Sequence, residues 1–397
     1  MKKIIIQISR AFVEVIEEGK SLDKVSFSYL KNLSDSNDKD KGFFAETLIE
    51  SVRWWRLLKT CTVSNSQGIG HYIDLVKTYL LIKKNWSSDD LEITSTQKRI
   101  IFENLKSVEN KREIRESIPD WLDSICYQEL GSIWDQQLSG LNTLPKICLR
   151  VNTLKIAKEK LRDILIRENY NILEDDYQDG IVLSTRANIF KSDAFREGLF
   201  EVQDISSQQV AHFLNVEKGM RVIDACAGLG GKTLHLATIM NNKGKIIAMD
   251  TDEWKLAELG KRSNRAGVSI IESRTIKNNK VIKRLANSAD RLLLDVPCSG
   301  LGVLRRNPDA KWRLTKEKID DLRKTQADIL KMYTRMLKPG GKVVYSTCSI
   351  LPSENSEQVR SFISSSEGSF ELEEEKTILP YESGFDGFYM ARMVRIR

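Results

Sequence analysis

The sequence has no long apolar run and no closely paired cysteines, and these two absences exclude several classes of protein. No stretch approaches the ~18 consecutive apolar residues of a membrane span. The amino terminus begins with a short apolar segment, but Gln7, Arg10 and Glu14 interrupt it before the hydrophobic region of a signal peptide is complete. The six cysteines include no Cys-x-x-Cys pair, so neither a disulfide framework nor a zinc site is expected. We therefore expect a cytoplasmic protein with free thiols, no bound metal and no membrane association. We also expect it to be a monomer.

Charge is unevenly distributed along the chain. The net charge of +7 is modest for 397 residues and does not by itself identify a protein that binds polyanions. Residues 251–350, however, contain 22 lysines and arginines against 11 acidic residues. The excess includes Arg274, Lys277, Lys280, Lys283, Arg284, Arg305, Arg306, Lys311 and Arg313. Such a cluster is typical of contacts with a phosphate backbone, although solvated helix faces carry similar charges.

The first ~140 residues have apolar residues at helical spacing and few strand-like runs, which predicts an all-α domain. A polar connector is expected at residues 34–41. Four tryptophans lie in the helical segments: Trp54, Trp55, Trp121 and Trp134. We expect them to pack in the core rather than to stack on bases.

Strands and helices follow in the rest of the chain. Strand-like runs at 147–151 and 180–183, with a helix at 157–167, indicate a small α+β subdomain. From Met220 onward strands and helices alternate, as in a parallel sheet with crossover helices. Strands are predicted at 221–224, 245–249, 268–271, 291–294 and 342–345. Helices are predicted at 232–240, 253–266, 315–337 and 353–364, and a terminal hairpin ends with 388–394. The predicted domains are 1–140, 145–205 and 206–397, and the predicted fold class is α/β.

Two cysteines each follow a strand-like run and lie in a short, turn-like loop. Cys298 follows Leu-Leu-Leu-Asp-Val-Pro, and Cys348 follows Val-Val-Tyr-Ser-Thr. Such loops lie at the carboxyl edge of a parallel sheet, where ligands bind. A cysteine there is a candidate nucleophile, although free cysteines are commonly small buried side chains. The occurrence of two such cysteines together favours a catalytic role. Asp295, at the end of an apolar strand, supports the same interpretation, because a buried carboxylate without a partner is costly.

A glycine-rich turn at residues 228–233 leads from the first strand of this sheet into a helix. Cys226 stands where a phosphate-binding P-loop has its first glycine, and the turn is not Gly-x-Gly-x-x-Gly, which disfavours NAD. Asp250, at the end of the next strand, is placed to accept hydrogen bonds from ribose hydroxyls. These features favour S-adenosylmethionine over a dinucleotide, although such turns are often purely structural.

Methylation of carbon 5 of cytosine needs a set of groups that this chain contains. Carbon 5 is a poor nucleophile until a thiolate adds at carbon 6. A base must then remove the carbon 5 proton so that the thiol can leave, and an acid is wanted near ring nitrogen 3. Cys298, Cys348 and Asp295 are the candidates.

These residues resemble the RNA cytosine-5 methyltransferases of the Sun/Fmu family, which includes the RsmB and NSUN groups. The resemblance is strong over residues 200–397 and weaker upstream. It rests on the segments EVQD (201–204), DACA (224–227), GGKT (230–233), DVPCSG (295–300), RRNPD (305–309), KW (311–312), STCS (346–349) and EN (354–355).

The resemblance implies a role for each site residue. Cys348, after threonine, is the nucleophile, and Cys298, after proline, assists product release. Asp250 binds the cofactor ribose, and Asp295 lies between cofactor and base. The residues that cradle S-adenosylmethionine are Cys226, Ala227, Gly228, Leu229, Gly230, Gly231 and Lys232.

The resemblance also implies an architecture and a partner. The architecture is a Rossmann-like S-adenosylmethionine-dependent methyltransferase domain, preceded by an all-α NusB-like RNA-binding domain and a small α+β RNA-binding subdomain. The implied partner is RNA, with 16S ribosomal RNA favoured over transfer RNA.

Two positions depart from the family pattern. Gly228-Leu229 replaces the usual Ala-Pro of the glycine turn. In the family, an aspartate just after the third strand contacts adenine, and this chain has no aspartate at the predicted end of that strand. Either Glu272 substitutes for it or the contact is absent. A non-catalytic RNA-binding assembly factor therefore remains an alternative. DNA cytosine methylation is less favoured, because there the Pro-Cys thiol alone is the nucleophile.

Overall fold

The computed structural model describes residues 2–33, 37–174 and 176–397, and the chain divides into two compact units. The first comprises Met1–Thr143 and Leu304–Lys316, and the second comprises Leu144–Val303 and Glu317–Arg397. The helices are α1 (Lys2–Ile16), α2 (Leu22–Asn32), α3 (Asp38–Arg53), α4 (Trp55–Cys61), α5 (Ile69–Lys84), α6 (Ser95–Ser107), α7 (Arg112–Arg115), α8 (Asp120–Leu130), α9 (Trp134–Leu141), α10 (Lys158–Arg167), α11 (Asp193–Arg196), α12 (Ile205–Phe213), α13 (Gly231–Ile239), α14 (Glu253–Ala266), α15 (Asn279–Arg284), α16 (Ala310–Arg313), α17 (Lys316–Tyr333), α18 (Ser356–Ser365) and α19 (Pro380–Ser383). The strands are β1 (Cys148–Val151), β2 (Gly180–Val182), β3 (Phe200–Val202), β4 (Arg221–Asp224), β5 (Lys245–Asp250), β6 (Ile271–Thr275), β7 (Ala289–Asp295), β8 (Leu337–Thr347), β9 (Phe370–Ile378) and β10 (Phe388–Arg395). No helix in the described ranges combines the length and the apolar character that a membrane crossing requires.

The first unit is all-helical in its described residues, as the apolar spacing predicted. Trp134 is fully buried and its indole N–H donates to Asp123 at 2.7 Å, which confirms its core position. The other three tryptophans are half-buried. The expected connector at residues 34–41 is shorter than predicted, because Asn37 caps α3 by accepting the N–H of Asp40 at 2.8 Å. Residues 34–36 of that connector lie outside the described residues.

Residues 304–316 belong to the helical unit, although the sequence placed them in the catalytic domain. The reason is Arg53, which is fully buried on α3. Its guanidinium donates to the carbonyl oxygens of Leu304 at 3.2 Å and Arg305 at 2.7 Å, while its Nε donates to Glu50 at 2.9 Å. Because a buried guanidinium needs partners, this segment completes the core of the first unit.

The main sheet of the second unit has seven strands in the order β6-β5-β4-β7-β8-β10-β9. Strands β4 to β8 are parallel, and β10 runs antiparallel to both β8 and β9. The order reverses between β4 and β7, so the crevice at their carboxyl ends is the expected ligand site of a doubly wound sheet. This confirms the predicted Rossmann-like α/β class and the terminal hairpin.

A second, antiparallel sheet of three strands, in the order β2-β1-β3, forms the small α+β part of the same unit. Arg150 on β1 is fully buried, and its guanidinium donates to Gln203 and to the carbonyl oxygen of Gly231, the first residue of α13. Asp179, which precedes β2, accepts hydrogen bonds from His212 at 2.7 Å and His235 at 2.9 Å. The small sheet is thus bonded to the helices that flank the glycine turn.

Candidate active site

The two cysteine loops lie side by side at the carboxyl edge of the main sheet. Strands β7 and β8 are parallel neighbours, with Asp295 paired to Ser346. Cys298 and Cys348 therefore follow the ends of adjacent strands, and their Sγ atoms lie 3.3 Å apart. The sequence predicted that both loops share this edge, and the structure brings the two thiols into contact.

The pKa of the Cys298 thiol is set by its neighbours. Contact with the Cys348 thiol, followed by burial and the negative charge of Glu354, raises the pKa of Cys298 well above its usual range. Cys298 is therefore a neutral thiol at neutral pH. Any reaction in which it acts as a base must first remove that proton or bring a positive charge near it.

Asp295 lies beside the two thiol loops and is held by two neighbours. Lys232 on α13 donates to one carboxylate oxygen at 2.6 Å, and the Ser346 hydroxyl donates to the other at 2.9 Å. The Asp295 side chain remains 29% exposed, so part of it faces the crevice. In a P-loop the corresponding lysine contacts a phosphate of the ligand. Here Lys232 contacts the carboxylate of Asp295, a candidate catalytic residue.

The glycine turn is shaped by two positive φ angles. Gly228 has φ +53° and Gly230 has φ +83°, a region that favours glycine. A Cβ atom at Gly230 would lie 2.0 Å from Cδ1 of Leu259, whereas one at Gly228 would meet nothing within 4 Å. The turn is therefore locked by close packing at Gly230 and open to a ligand at Gly228.

Asp250 is tied to this turn. One of its carboxylate oxygens accepts the N–H of Gly228 at 2.9 Å, and the other accepts the N–H of Asp252 at 2.9 Å. Each oxygen retains a lone pair for a further donor, such as a ribose hydroxyl. The carboxylate that the sequence selected is thus oriented by backbone bonds before any ligand arrives.

A cavity of about 490 Å³ opens next to these groups. Four predicted site residues line it: Cys226, Gly228, Asp250 and Asp295. The remaining wall includes Ile276, Ile329 and Met332. Apolar walls with a few fixed polar groups suit an adenosine-type ligand, so the donor set fits the predicted cofactor. Burial raises the pKa of Cys226 well above its usual value, so this thiol is a neutral part of the wall.

Four other residues of the predicted cradle act from outside the cavity. Ala227 is buried and donates its N–H to the carbonyl oxygen of Met249 at 2.8 Å. The carbonyl oxygen of Leu229 accepts from Arg262 at 2.8 Å, while its side chain is exposed. Gly230 and Gly231 shape the start of α13.

Glu272, which the sequence offered as a substitute for the missing adenine contact, does not line the cavity. The third strand runs over Ile271–Thr275 rather than the predicted 268–271, so Glu272 lies inside the strand. Its carboxylate pairs with Lys245 and Arg274 instead of facing the cavity. The residue that follows the strand and lines the cavity is Ile276.

Sequence reasoning did not single out Asp224, although it lies in a quoted motif and its carboxylate bonds to the glycine turn. Asp224 ends β4 and is 1% exposed, and it accepts a hydrogen bond from Thr233 at 2.7 Å. Burial, with a further contribution from the charge of Asp295, raises the pKa of Asp224 to about 7. The signal for it was a carboxylate at a strand end followed by the threonine of the glycine turn.

The predicted basic cluster is only partly available to a polyanion. Lys311 and Arg305 are 2% exposed, so they are wrong as phosphate contacts. Arg274 is paired with Glu272. Four basic residues remain exposed around α15: Lys277, Lys280, Lys283 and Arg284.

Comparisons with known proteins agree with this geometry. A family model described as 16S rRNA methyltransferase RsmB/F matches residues 211–394, and a ferredoxin-like domain model of the RsmF/B-like methyltransferases matches residues 118–190. Ribosomal RNA small subunit methyltransferase B of Proteus mirabilis is 30% identical over 419 residues, covering 96% of each chain. The probable ribosomal RNA small subunit methyltransferase B of Synechocystis sp. is 34% identical over 296 residues, covering 70% of this chain and 66% of that protein.

Solved structures share the fold. The crystal structure of PH0851 has a TM-score of 0.81 and 24% identity, covering 98% of this chain and 99% of that chain. A methyltransferase homolog protein from Pyrococcus horikoshii has a TM-score of 0.64 and 25% identity, covering 72% and 97%. These structures confirm the predicted fold class. The family model and the relatives confirm S-adenosylmethionine as the cofactor and RNA as the substrate class. The chain belongs to the Sun/Fmu, or RsmB/F, family of S-adenosylmethionine-dependent ribosomal RNA methyltransferases.

Proposed function

We propose that this protein methylates carbon 5 of a cytosine in small-subunit ribosomal RNA through a covalent cysteine adduct. The observation that supports this most directly is the contact of two thiols, 3.3 Å apart, next to a partly exposed carboxylate. Methylation at a ring nitrogen or a ribose hydroxyl needs no such pair of thiols. Carbon 5 of cytosine needs one thiol to activate the ring and one base to release the product.

The two cysteines take successive steps. The Cys348 sulfur, as thiolate, adds to carbon 6, which makes carbon 5 nucleophilic. S-adenosylmethionine, when bound, supplies an electrophilic methyl group on its sulfonium sulfur. The Cys298 thiol gives its proton to solvent in the crevice, and its sulfur then takes the proton from carbon 5 while the ring electrons expel the Cys348 thiolate. Asp295 contacts the polar edge of the base near ring nitrogen 3, with its carboxylate held by Lys232.

The site faces a crevice, so the target cytosine must leave its stack. Extrusion costs a few kcal/mol and less in a loop. We propose that the helical unit and the small antiparallel sheet bind the surrounding RNA, as the family resemblance implies for residues 1–140 and 145–205.

The test is methyl transfer from labelled S-adenosylmethionine to unmodified small-subunit ribosomal RNA, followed by nucleoside analysis. We expect label in 5-methylcytosine. Cys348→Ala should abolish both turnover and the covalent adduct, whereas Cys298→Ala should accumulate protein–RNA adduct, because the carbon 5 proton is no longer removed. Normal turnover by Cys298→Ala would contradict the two-cysteine mechanism.

The same assay separates the alternatives. Label in transfer RNA but not in ribosomal RNA would reassign the substrate. Binding of RNA without any methyl transfer would favour a non-catalytic assembly factor.

A further inference from the structure

The carboxylate of Glu354 lies between the two cysteine loops and is fully buried. One of its oxygens accepts the backbone N–H of Ser299 at 2.8 Å and the amide of Gln326 at 3.0 Å. The other accepts the hydroxyl groups of Ser299 and Ser349, each at 2.5 Å. A buried carboxylate with four donors has all its hydrogen-bonding needs met within the protein.

These bonds tie the two cysteine loops to one another. Ser299 directly follows Cys298, and Ser349 directly follows Cys348. The two serine hydroxyls also lie 3.2 Å from each other. A single side chain therefore fixes the residue after each thiol, which sets the thiol separation without touching either sulfur.

Neighbouring bonds hold Glu354 itself in place. The Tyr345 hydroxyl donates to the carbonyl oxygen of Glu354 at 2.6 Å. Gln326 on α17 donates to the carbonyl oxygen of Pro297 at 3.0 Å, in the first cysteine loop. Asn355 donates to the carbonyl oxygen of Ser349 at 3.0 Å, in the second loop. Together with the carboxylate contacts, these bonds connect the position of Glu354 to both loops.

We propose that Glu354 is a positioning residue for the reaction, which holds the Cys298 and Cys348 loops at contact distance through the serine that follows each cysteine. The proposal rests on the two-cysteine function above. The negative charge of Glu354 has a second effect, because it disfavours the Cys298 thiolate before substrate binds.

Two substitutions separate position from charge. Glu354→Gln keeps the shape, since an amide oxygen accepts from Ser299 N–H and Gln326, and an amide nitrogen donates to the serine hydroxyls. Glu354→Ala removes the bridge and the charge together. Both variants lack the charge, so a difference between them reports position alone. Glu357→Gln is the matched control, because it makes the same charge change at an exposed site on α18.

Intramolecular disulfide formation measures the separation of the thiols directly. Diamide, a diazene oxidant, accepts two electrons and two protons as Cys298 and Cys348 form one S–S bond, and it leaves as the hydrazine. Peptide mapping by mass spectrometry identifies this pair among the six cysteines. We expect similar rates for the wild type and Glu357→Gln, and a rate in Glu354→Gln that is equal or higher. We expect Glu354→Ala to react about a hundredfold more slowly than Glu354→Gln, since a shift of about 1 Å in a reacting group has an effect of this size. Equal rates in those two variants would overturn the proposal.

A second variant covers the case in which Glu354→Ala does not fold. Ser349→Ala removes one end of the bridge while the carboxylate keeps three donors. Circular dichroism and thermal unfolding check the fold of each variant. We expect slower disulfide formation in folded Ser349→Ala than in the wild type, and an unchanged rate there would also overturn the proposal.

Methylation kinetics provide an independent readout. Glu354→Ala should lower kcat with little change in KM for RNA, and Glu354→Gln should restore activity with a pH–rate profile displaced to lower pH. The oxidation assay needs neither RNA nor cofactor. If the wild type does not methylate cytosine but Glu354→Ala is oxidised slowly, the proposed function is refuted and the positioning role stands. If the wild type is active but Glu354→Ala and Glu354→Gln are oxidised at equal rates, the positioning role alone is refuted.

Discussion

Individual side chains at the carboxyl edge are specialised by their surroundings more than by their chemistry. Asp250 and Asp295 both end strands of the main sheet, but backbone N–H groups hold the first and a lysine holds the second. Asp224 ends a strand as well and is the most buried of the three carboxylates. Their environments differ accordingly: backbone bonds orient the first, a lysine pairs with the second, and the third is enclosed below the glycine turn.

The pKa of Asp224 predicts a pH dependence of stability. Its ordinary pKa is 3.8, and burial raises it to about 7 in the folded protein. The folded state therefore binds this proton more tightly than the unfolded state, so its contribution to stability is present below about pH 4 and is lost as the pH rises to about 7. Asp224→Asn has no such proton.

Chemical denaturation at several pH values checks this. We expect the free energy of unfolding of the wild type, relative to Asp224→Asn, to fall between about pH 4 and pH 7 and to level off above. A difference that stays constant over this range would show that Asp224 is ionised in the folded protein.

The packing around the glycine turn predicts that alanine substitutions at Gly230 and Gly228 lower the free energy of unfolding by different amounts. Gly230→Ala combines an unfavourable φ with a 2.0 Å approach to Leu259, so we expect a loss of about 3 kcal/mol. Gly228→Ala is the control, because it has the φ strain but open space, and we expect a loss of about 1 kcal/mol. Urea denaturation measures both, and equal losses would contradict the packing argument.

At the scale of elements, strand β6 shows where sequence reasoning fails. The largely apolar run 268–271 suggested a strand, but the strand begins at Ile271 and continues through four polar residues. β6 is one of the two edge strands of the sheet, and it is only partly buried. An edge strand does not need an apolar face on both sides, so an apolar run is a poor guide to it.

Central strands behave oppositely. Strands β4, β5, β7 and β8 are buried on both faces, and their apolar runs predicted their positions, although β8 extends to Leu337 before the predicted start. Because the loops of interest follow these central strands, the pairing of Cys298 with Cys348 was predictable. Glu354 was not, since its role depends on hydrogen bonds between three separate segments.

At the scale of the whole molecule, the sequence gives the total basic charge of a segment correctly but does not show which of its basic side chains are exposed. The excess in residues 251–350 is real, but part of it is divided between two compact units and part is buried. Arg53 explains the division, because its buried guanidinium requires the carbonyl groups of residues 304 and 305. No local pattern signals such a long-range requirement.

The exposed lysines of α15 give a testable electrostatic prediction. Lys280→Gln/Lys283→Gln should weaken RNA binding and lower the slope of log affinity against log salt by about 0.7 for each phosphate that the protein no longer neutralises. Lys218→Gln/Lys243→Gln is the control, with the same charge change at exposed positions that precede β4 and β5, at the opposite edge of the sheet. Filter binding over a salt series measures both slopes, and equal slopes would exclude α15 from the RNA interface.

The buried guanidinium of Arg150 has a practical consequence for dissecting the chain. It comes from the small antiparallel sheet, but its bonds end on Gln203 and on the first residue of α13. A fragment cut before α12 would expose Ile205 and Phe385, which pack against Cys148 and Val182 of that sheet. It would also leave the Gly231 carbonyl oxygen without its donor. We therefore expect a stable fragment of the second unit to begin before β1, upstream of the residues 211–394 that the RsmB/F family model matches.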